Sequence, residues 1–332
     1  MNGPTLRFRE DGTFRILQLT DMHLQQIVGR NATSLALAKD LIEREKPDLI
    51  AFTGDISCDG SAQQMVSRLE TLLNVVEPFG IPYTYTMGNH ETDRHNGQSR
   101  HGALAEFLLA RPLCIFDPGD AKLGMGNYEV HVYPHDGGGR PAWALYHLDG
   151  HSSHVPYHLA PGVTEIHDAW ITIPQQRWLE DTHKALQRAY GSVPAILFDH
   201  VPLPEYNDVW MFDGVYGDRF EKVYSPKVNS GLFSRLYELG DFRGVFCGHD
   251  HVNSYHGTML GIMLAYGRCS GYHTYCQPYF KRGGRVIVLG ERSGQIEDTY
   301  ITLHDGTRGD DTFHPPVLNR LDLYMRDVPL KN

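Results

Sequence analysis

The chain has 332 residues, of which 41% are hydrophobic and 21% charged, and its formal net charge is −10. This balance is typical of a globular protein with a sizeable core and excludes disordered and collagen-like classes. The sequence has no cluster of Lys and Arg and no apolar run near the ~18 residues that span a bilayer, so we expect neither a nucleic-acid partner nor a membrane span.

The first ninety residues alternate apolar, strand-like runs with helix-like segments. Strands are predicted at residues 14–20, 49–53 and 81–86, and helices at residues 32–45 and 61–76. The helical segments repeat their apolar residues with a helical period, and Pro47 stops the first of them. Strands that alternate with helices favour βαβ units and a mostly parallel sheet.

The remainder of the chain mixes these elements differently. The sequence predicts a hairpin from residues 127–133 and 142–148, a loop rich in His, Pro and Gly to about 173, a helix to about 190, a strand at 193–198, a long loop at 201–228, a helix at 232–239 and a strand at 242–247. After residue 255 short strands alternate with turns. We expect an α/β fold with two mixed β-sheets packed face to face as a sandwich flanked by helices.

The sequence shows no internal repeat and no linker. We therefore expect residues 1–332 to form a single domain, in which a β-rich part at about 255–305 completes the second sheet. The five cysteines are widely spread without a CxxC spacing, which favours free thiols. The N-terminus lacks the apolar region of a signal peptide, which predicts a cytoplasmic location for the sequence as given and export if a leader has been removed.

Five predicted strands are followed by residue types that bind metals. The clusters are Asp21-Met22-His23, Gly54-Asp55, Gly88-Asn89-His90-Glu91, His200 and Gly248-His249-Asp250-His251. In open α/β sheets, ligands bind at the carboxyl ends of the strands, where residues far apart in sequence converge. The chain also has 19 histidines, and imidazole is a common metal ligand. The pattern indicates a metal site.

Each cluster alone also has an ordinary structural explanation. Asp55 would cap a helix, Asn89 would serve a turn, and His200 would be a hydrogen-bonded core or surface histidine. His249 and His251 lie two residues apart and would share one face of an extended segment. Five such clusters at successive strand ends favour one common site over five separate roles.

The order DMH, GD, GNHE, H and GHDH resembles the signature of the calcineurin-like metallophosphoesterases, from about residue 14 to residue 251. Softer matches at 170–179, 199–206 and 269–275 resemble a subgroup allied to purple acid phosphatases. The resemblance implies two metal ions with Asp55 as their bridge, and His90 as the catalytic residue. The implied ligands are Asp21, His23, Asp55 and His251 for one ion, and Asp55, Asn89, His200 and His249 for the other.

The resemblance further implies hydrolysis of a phosphate ester by a hydroxide that bridges the ions, while His90 orients the phosphate and protonates the leaving oxygen. A mixed set of His, Asp and Asn ligands suits manganese, iron or zinc rather than calcium. We expect a small-molecule phosphomonoester as the substrate. The alternatives are a phosphodiesterase acting on nucleotides or lipid head groups, and a catalytically silent metal-binding scaffold.

Features outside the ligand set also have expected roles. Cys58 stands where purple acid phosphatases have a tyrosine ligand, and we expect it to pack as a small apolar residue. Glu91 is expected to orient His90 or a neighbouring loop. The histidine-rich segment at 147–158 either lines the substrate pocket or forms a solvated loop. By its position, the loop at 201–228 is expected to influence specificity through Tyr206, Trp210 and Tyr216.

Overall fold

The structure is a computed structural model that describes residues 3–25, 28–95, 98–152, 155–161, 163–309 and 312–318; at 28, 94, 95, 98, 155–160 and 163–167 it describes the backbone alone. Within these ranges there are seven α-helices: α1 (Val28–Glu45), α2 (Ala62–Val76), α3 (Asn89–Thr92), α4 (His101–Leu109), α5 (Ile173–Tyr190), α6 (Glu205–Phe212) and α7 (Leu232–Leu239). None of these helices combines the length and the apolar composition that a bilayer span requires.

The strands of the described residues are short and numerous. In chain order they are β1 (Leu6–Arg7), β2 (Thr13–Leu19), β3 (Leu49–Thr53), β4 (Tyr83–Thr86), β5 (Arg94–His95), β6 (Gln98–Ser99), β7 (Cys114–Ile115), β8 (Tyr128–Tyr133), β9 (Trp143–His147), β10 (Val155–Ala160), β11 (Val163–His167), β12 (Ala195–Phe198), β13 (Val215–Tyr216), β14 (Phe242–Cys247), β15 (His256–Met259), β16 (Ile262–Tyr266), β17 (Gly283–Gly290), β18 (Ile296–Leu303) and β19 (Phe313–His314).

In the part of the chain that the structure describes, most strands belong to two large sheets. One has nine strands in the order β1-β8-β9-β12-β14-β16-β15-β13-β19, and the other has six in the order β18-β17-β2-β3-β4-β7. The centre of each sheet is parallel, through β9-β12-β14-β16 in the first and β2-β3-β4-β7 in the second. Antiparallel strands such as β8, β15 and β17 flank these centres. Both sheets are therefore mixed, as predicted.

The burial pattern shows how the layers stack. Along β12, Ile196 and Phe198 join a core that includes the six-stranded sheet, whereas Ala195 and Leu197 join a second core. Successive side chains of a strand point to opposite faces, so the nine-stranded sheet is covered on both sides. The first core also contains residues of α1, α2 and α4, and the second contains residues of α5, α6 and α7. The result is the predicted sandwich with helices on both outer faces.

The β-rich tail contributes strands to both sheets. The strands β15 and β16 extend the nine-stranded sheet, whereas β17 and β18 extend the six-stranded one by pairing beside β2. The sequence predicted that this part completes the second sheet, and its strand pattern carries no information about which sheet edge each strand joins. That the whole chain forms a single domain stays a prediction.

Most predicted elements are confirmed, with clear exceptions. The helix α1 begins at Val28 rather than at residue 32. The hairpin β10–β11 lies in the predicted loop before residue 173, and α6 lies within the predicted loop at 201–228. Pro204 is the N-cap of α6, where proline is compatible with a helix. All five cysteines are free, as expected.

Candidate metal centre

The predicted site residues lie where strands of the two sheets end. Asp21 and His23 follow β2, Asp55 follows β3, Asn89 and His90 begin α3 after β4, His200 follows β12, and His249 and His251 follow β14. Asp21 and His249 come from different sheets, yet the His249 N–H donates to Asp21 Oδ2 at 3.0 Å. The structure therefore brings together residues that are more than two hundred positions apart.

One group of donor atoms comes from Asp21, His23 and His251, whose ligand atoms all lie within 4.8 Å of one another. His251 Nε2 lies 3.5 Å from Asp21 Oδ1, and His23 Nε2 lies 3.9 Å from the same oxygen. All three residues are buried. We call these residues the first donor set.

A second group comes from Asp55, His200 and His249, again within 4.8 Å of one another. The Asn89 Oδ1 atom lies 3.1 Å from His200 Nε2 and 3.1 Å from His249 Nδ1, which places the amide oxygen between the two imidazoles. We call these four residues the second donor set.

Asp55 lies between the two sets. Its Oδ2 atom is 3.3 Å from His200 Nε2 and 3.4 Å from His23 Nε2, so one carboxylate faces both groups. Its Oδ1 atom accepts the His90 N–H at 2.9 Å. This position suits the predicted bridge, and the ligand roles of all seven residues stay predictions.

The donor chemistry fits cations. His200 Nδ1 lies 2.8 Å from Thr53 O and donates to it, which leaves the lone pair of Nε2 directed at the second donor set. His23 Nε2 is buried and has no hydrogen-bond partner among the described residues. Two buried carboxylates thus lie against several imidazole nitrogens, and this mixed set of oxygen and nitrogen donors suits a divalent ion.

Electrostatics keep the central carboxylate ionised. Burial alone would raise the pKa of Asp55, but the positive charges of His200 and His90 hold that pKa well below its ordinary value. Burial likewise opposes charge on His200, yet Asp55 raises the pKa of this histidine well above its ordinary value. A cation bound at the second donor set would therefore take the place of the proton on Nε2. Burial lowers the pKa of His251 to about 4, so this ring is neutral near pH 7, as a metal ligand must be.

The backbone at the site adopts an unusual conformation. Asp21, His23, Asp55 and His249 have φ angles of 53°, 48°, 54° and 73°. Residues other than glycine seldom occupy this left-handed region, and each such residue costs of order 1–3 kcal/mol. Four of the eight site residues adopt this conformation, which indicates that the fold holds them in an unfavourable backbone geometry in order to direct their side chains into the site.

Two motif glycines are required by close approach. A Cβ atom on Gly54, whose φ is 90°, would lie 2.4 Å from His200 Nδ1. A Cβ atom on Gly88 would lie 2.3 Å from Asp55 Oδ1. Because no other residue fits in either place, the GD and GNHE motifs need their glycines for the packing of site residues.

Glu91 fastens the loops that carry Asp55 and His90. Its Oε2 accepts the N–H groups of Asp55 at 2.8 Å and Gly88 at 2.9 Å, and its Oε1 accepts that of Ile56 at 2.8 Å. The Tyr85 hydroxyl also donates to Oε1 at 2.8 Å. Glu91 is buried, so these bonds replace its hydration. Glu91 was expected to orient either His90 or a neighbouring loop, and these bonds support the second role.

Replacing Glu91 with glutamine is expected to destabilise the protein by about 3 kcal/mol, because the amide NH₂ group would face buried N–H donors and leave them without an acceptor. Urea unfolding measures the change. The matched control is Glu238→Gln, whose side chain is 69% exposed in a surface ion pair with Arg235 and should change stability little. Equal stability of the two variants would contradict this role of Glu91.

His90 is placed differently from the seven donors. Its side chain is 35% exposed, whereas those of the donor histidines are at most 15% exposed. His90 Nε2 lies 3.8 Å from Asp55 Oδ2, and Nδ1 lies 3.4 Å from Asp93 Oδ2. The charge of Asp55 contributes most to raising the pKa of His90 to about 9; burial opposes this rise, and the hydrogen bond that the ring donates to the Asp93 carboxylate adds to it. His90 is therefore accessible beside the donor sets, in surroundings that favour its protonated form.

Asp93 and Arg100 complete this arrangement, and sequence reasoning missed both. Arg100 donates to the carbonyl oxygens of His90 and Asp93, which fixes the short helix α3. Asp93 follows His90 by three positions, a spacing at which helical side chains meet, so this signal was available in the sequence.

Replacing Asp93 with asparagine is expected to lower the pKa of His90, because a carboxylate that favours the imidazolium is lost. If the protonated ring acts as the acid, the alkaline limb of kcat/KM against pH should move to lower pH. The control Asp181→Asn removes the same charge from the exposed face of α5 and should leave the limb in place. An unmoved limb in Asp93→Asn would show that Asp93 does not tune His90.

Cys58 differs from its expected role. It is buried, as expected, but its Sγ atom lies 2.9 Å from His23 Nδ1 rather than in purely apolar surroundings. The contact joins residues 35 positions apart, which no local pattern reveals.

Sequence reasoning also missed Asp168, because nothing in its sequence neighbourhood marks it. Its Oδ2 lies 3.2 Å from His249 Nε2 and orients that ring.

The histidine-rich segment at 147–158 does not act as a unit. His147 is buried, stacks on Tyr128 with ring centroids 4.5 Å apart and bonds Thr86 Oγ1, so it is a core residue. His151 lies 3.0 Å from Gln175 Oε1. His154 and the side chain of His158 lie outside the described residues.

The chain resembles known proteins over most of its length. The family model for calcineurin-like phosphoesterases matches residues 14–253, a range that contains all the predicted site residues. A probable inactive purple acid phosphatase, number 28 of Arabidopsis thaliana, is 32% identical over 331 residues, covering 89% of this chain and 79% of that protein. Phosphatase DCR2 of Saccharomyces cerevisiae is 28% identical over 291 residues, covering 79% of this chain and 49% of that protein.

A solved structure supports the fold. A dimetal phosphatase from Danio rerio superposes with a TM-score of 0.58 at 13% identity, over 91% of this chain and 99% of that one. At that identity the likeness concerns the fold alone, whereas the family match and the 32% identity extend to the sequence motifs. The chain therefore belongs to the calcineurin-like phosphoesterase family.

Proposed function

We propose that this protein hydrolyses phosphate esters, and phosphomonoesters in preference to diesters, with the help of two divalent metal ions held by the first and second donor sets. The observation that carries the proposal is the position of the Asp55 carboxylate, which faces both donor sets and also accepts the backbone N–H of the partly exposed His90. Two cation sites that share one carboxylate next to an acid group suit phosphoryl chemistry.

Divalent ions at such sites lower the pKa of a bound water and neutralise charge on the phosphoryl oxygens. The residues of the chain supply what else the reaction needs. Asp55 and Asp21 offer ionised carboxylates, and His200 and His249 are oriented by Thr53 O and Asp168. Protonated His90 hydrogen-bonds a phosphoryl oxygen and gives its proton to the leaving oxygen as the P–O bond breaks. Ligand types that mix imidazole with oxygen favour manganese, iron or zinc.

A catalytically silent metal-binding scaffold is the second candidate. The word "inactive" in the names of the Arabidopsis relatives favours it. The full donor complement and the exposed, Asp93-paired His90 support catalysis in this chain instead. A scaffold would need the donors but would have no use for an accessible imidazolium beside them.

The test compares hydrolysis of p-nitrophenyl phosphate with that of its bis ester, with added manganese and with chelator, alongside elemental analysis of the same samples. We expect hydrolysis of the monoester that depends on metal and exceeds hydrolysis of the diester. Faster hydrolysis of the bis ester would identify a phosphodiesterase. Bound metal without hydrolysis of either ester would identify a scaffold.

A further inference from the structure

A cleft of about 500 Å³ opens above the two donor sets, and its described lining consists of Asp55, Asn89, His90, Glu221, Tyr224, His249, His251 and Tyr275. Tyr206, Trp210 and Tyr216, which were expected to influence specificity, are not among these lining residues. Cys58 is not among them either and is only 1% exposed, so a substrate in the cleft does not contact the thiol. Any role of Cys58 at the site therefore acts through the residue that it touches.

The imidazole of His23 has two nitrogen atoms in different surroundings. Its Nε2 atom faces the donor sets and lies 3.4 Å from Asp55 Oδ2 and 3.9 Å from Asp21 Oδ1. Its Nδ1 atom lies 2.9 Å from Cys58 Sγ, which is the hydrogen-bond partner of this nitrogen. Only 9% of the His23 side chain is exposed, so the ring depends on the protein for its hydrogen bonds.

The contact with Cys58 decides which nitrogen of His23 is available to a cation. A neutral imidazole carries its proton on one nitrogen and a lone pair on the other. A cation at the first donor set takes the lone pair of Nε2, so the proton resides on Nδ1. The sulfur of Cys58, a weak acceptor, then receives the Nδ1–H. This bond fixes both the tautomer and the orientation of the ring.

The backbone holds Cys58 firmly against His23. The N–H of Cys58 donates to Leu24 O at 3.3 Å, and the N–H of Leu24 donates to Ile56 O at 2.9 Å, so the loops that follow β2 and β3 run side by side. Arg68 of α2 donates to the carbonyl oxygen of Cys58. The sulfur atom thus has a fixed position, and the ring of His23 rests against an ordered partner.

The second donor set has a comparable arrangement. The Oδ2 atom of Asp168 lies 3.2 Å from His249 Nε2, while Nδ1 of the same ring lies 3.1 Å from Asn89 Oδ1. One nitrogen of His249 thus faces the set and the other faces Asp168, which is not a predicted ligand. Each donor set therefore contains a histidine whose outer nitrogen is bonded by a residue outside the set, a sulfur in one case and a carboxylate in the other.

From these contacts we infer that Cys58 is a positioning residue of the first donor set, which accepts the Nδ1–H of His23 and thereby directs Nε2 at the cation. The inference rests on the proposed function, of which it needs the two cation sites and not the hydrolysis. The alternative is direct ligation, because His23, Cys58 and His90 offer three ligand atoms within 4.8 Å of one another. An ion held there through Nδ1 would not use the nitrogen of His23 that faces Asp21 and Asp55.

The test measures manganese binding through the electron paramagnetic resonance signal of the free ion, which requires no assay of hydrolysis. We expect the unchanged protein to bind two ions and Cys58→Ala to bind one of them about 10- to 100-fold more weakly, the usual cost of losing a partner that orients a ligand. Cys58→Ser keeps an acceptor and should recover most of the affinity. Cys114→Ala, at a similarly buried cysteine of β7, is the matched control and should bind both ions with unchanged affinity.

Asp168→Ala locates the effect, because it removes the orienting partner of the second donor set. It should weaken the ion that Cys58→Ala leaves tightly bound, and the double variant should weaken both. If the two single variants weaken the same ion, Cys58 does not act on the first donor set. The absorption spectrum of the cobalt-loaded protein provides an independent check, since a thiolate-to-cobalt band that disappears in Cys58→Ser would make Cys58 a ligand and overturn the positioning role.

The binding data also separate this inference from the proposed function. Unchanged manganese affinities in Cys58→Ala, or an equal loss in Cys114→Ala, would overturn the inference and leave the hydrolytic function intact. The expected loss of affinity in a protein that hydrolyses neither p-nitrophenyl phosphate nor its bis ester would sustain the inference and overturn the proposed function. Failure of the unchanged protein to bind manganese, cobalt or zinc would overturn both.

Discussion

His90→Ala is expected to bind both metal ions and to lose about 10²- to 10⁴-fold in kcat, the range typical of a lost general acid. The reason is geometric. Asn89 presents its amide oxygen to the second donor set, whereas the next residue, His90, keeps its side chain 35% exposed beside the cleft. The measurement pairs elemental analysis with steady-state kinetics on a phosphomonoester.

Two results would contradict this account of His90. Turnover within a few-fold of the unchanged protein would mean that the ring donates no proton in the rate-limiting step. A loss of both metals would mean that His90 is a ligand, or that the substitution disturbs the bond from the backbone N–H of this position to Asp55. Circular dichroism and unfolding curves of the variant separate a local loss from a general one.

Asp55→Asn is expected to have the larger effect on metal content, because this residue faces both donor sets. The asparagine oxygen can still accept the His90 N–H that Asp55 Oδ1 accepts at 2.9 Å, so the fold should persist. The substitution removes the negative charge of Asp55, and with it the attraction that raises the pKa of His200 and favours the binding of two cations. Metal affinity and kcat/KM should both fall by about a hundredfold or more, because losing even a residue that only orients a metal ligand costs roughly 10- to 100-fold.

Asp181→Asn is the matched control, since it removes one carboxylate from an exposed position on α5. Dialysis of both variants against a graded series of manganese concentrations, followed by elemental analysis, gives the affinities. Two ions per chain bound by Asp55→Asn with unchanged affinity would show that the shared carboxylate is dispensable.

The elements that position the site were accessible to sequence reasoning because their signals are local. The apolar run of β3 ends at Gly54-Asp55, and that of β14 ends at Gly248-His249. Both the strands and the polar residues that follow them are therefore visible in the sequence. Parallel strands bring their carboxyl ends to one edge, which made the convergence of distant motifs predictable.

What could not be predicted depends on contacts between loops. Tyr224 and Tyr275 line one cleft from two loops with no shared spacing, and the Cys58–His23 contact connects two other loops. Glu91 works through backbone N–H groups, which nearly every residue carries, so no partner residue type could reveal it. Such features follow from the folded geometry and leave no periodic pattern.

The proposed function requires that two cations bind side by side with Asp55 between them. Anomalous diffraction from crystals of the protein grown with manganese or zinc tests it most directly. We predict two peaks. One should be surrounded by Asp21, His23 and His251, and the other by Asn89, His200 and His249. Both peaks should lie within coordination distance of the Asp55 carboxylate. A single peak, or two peaks of which either lies away from Asp55, would contradict the account.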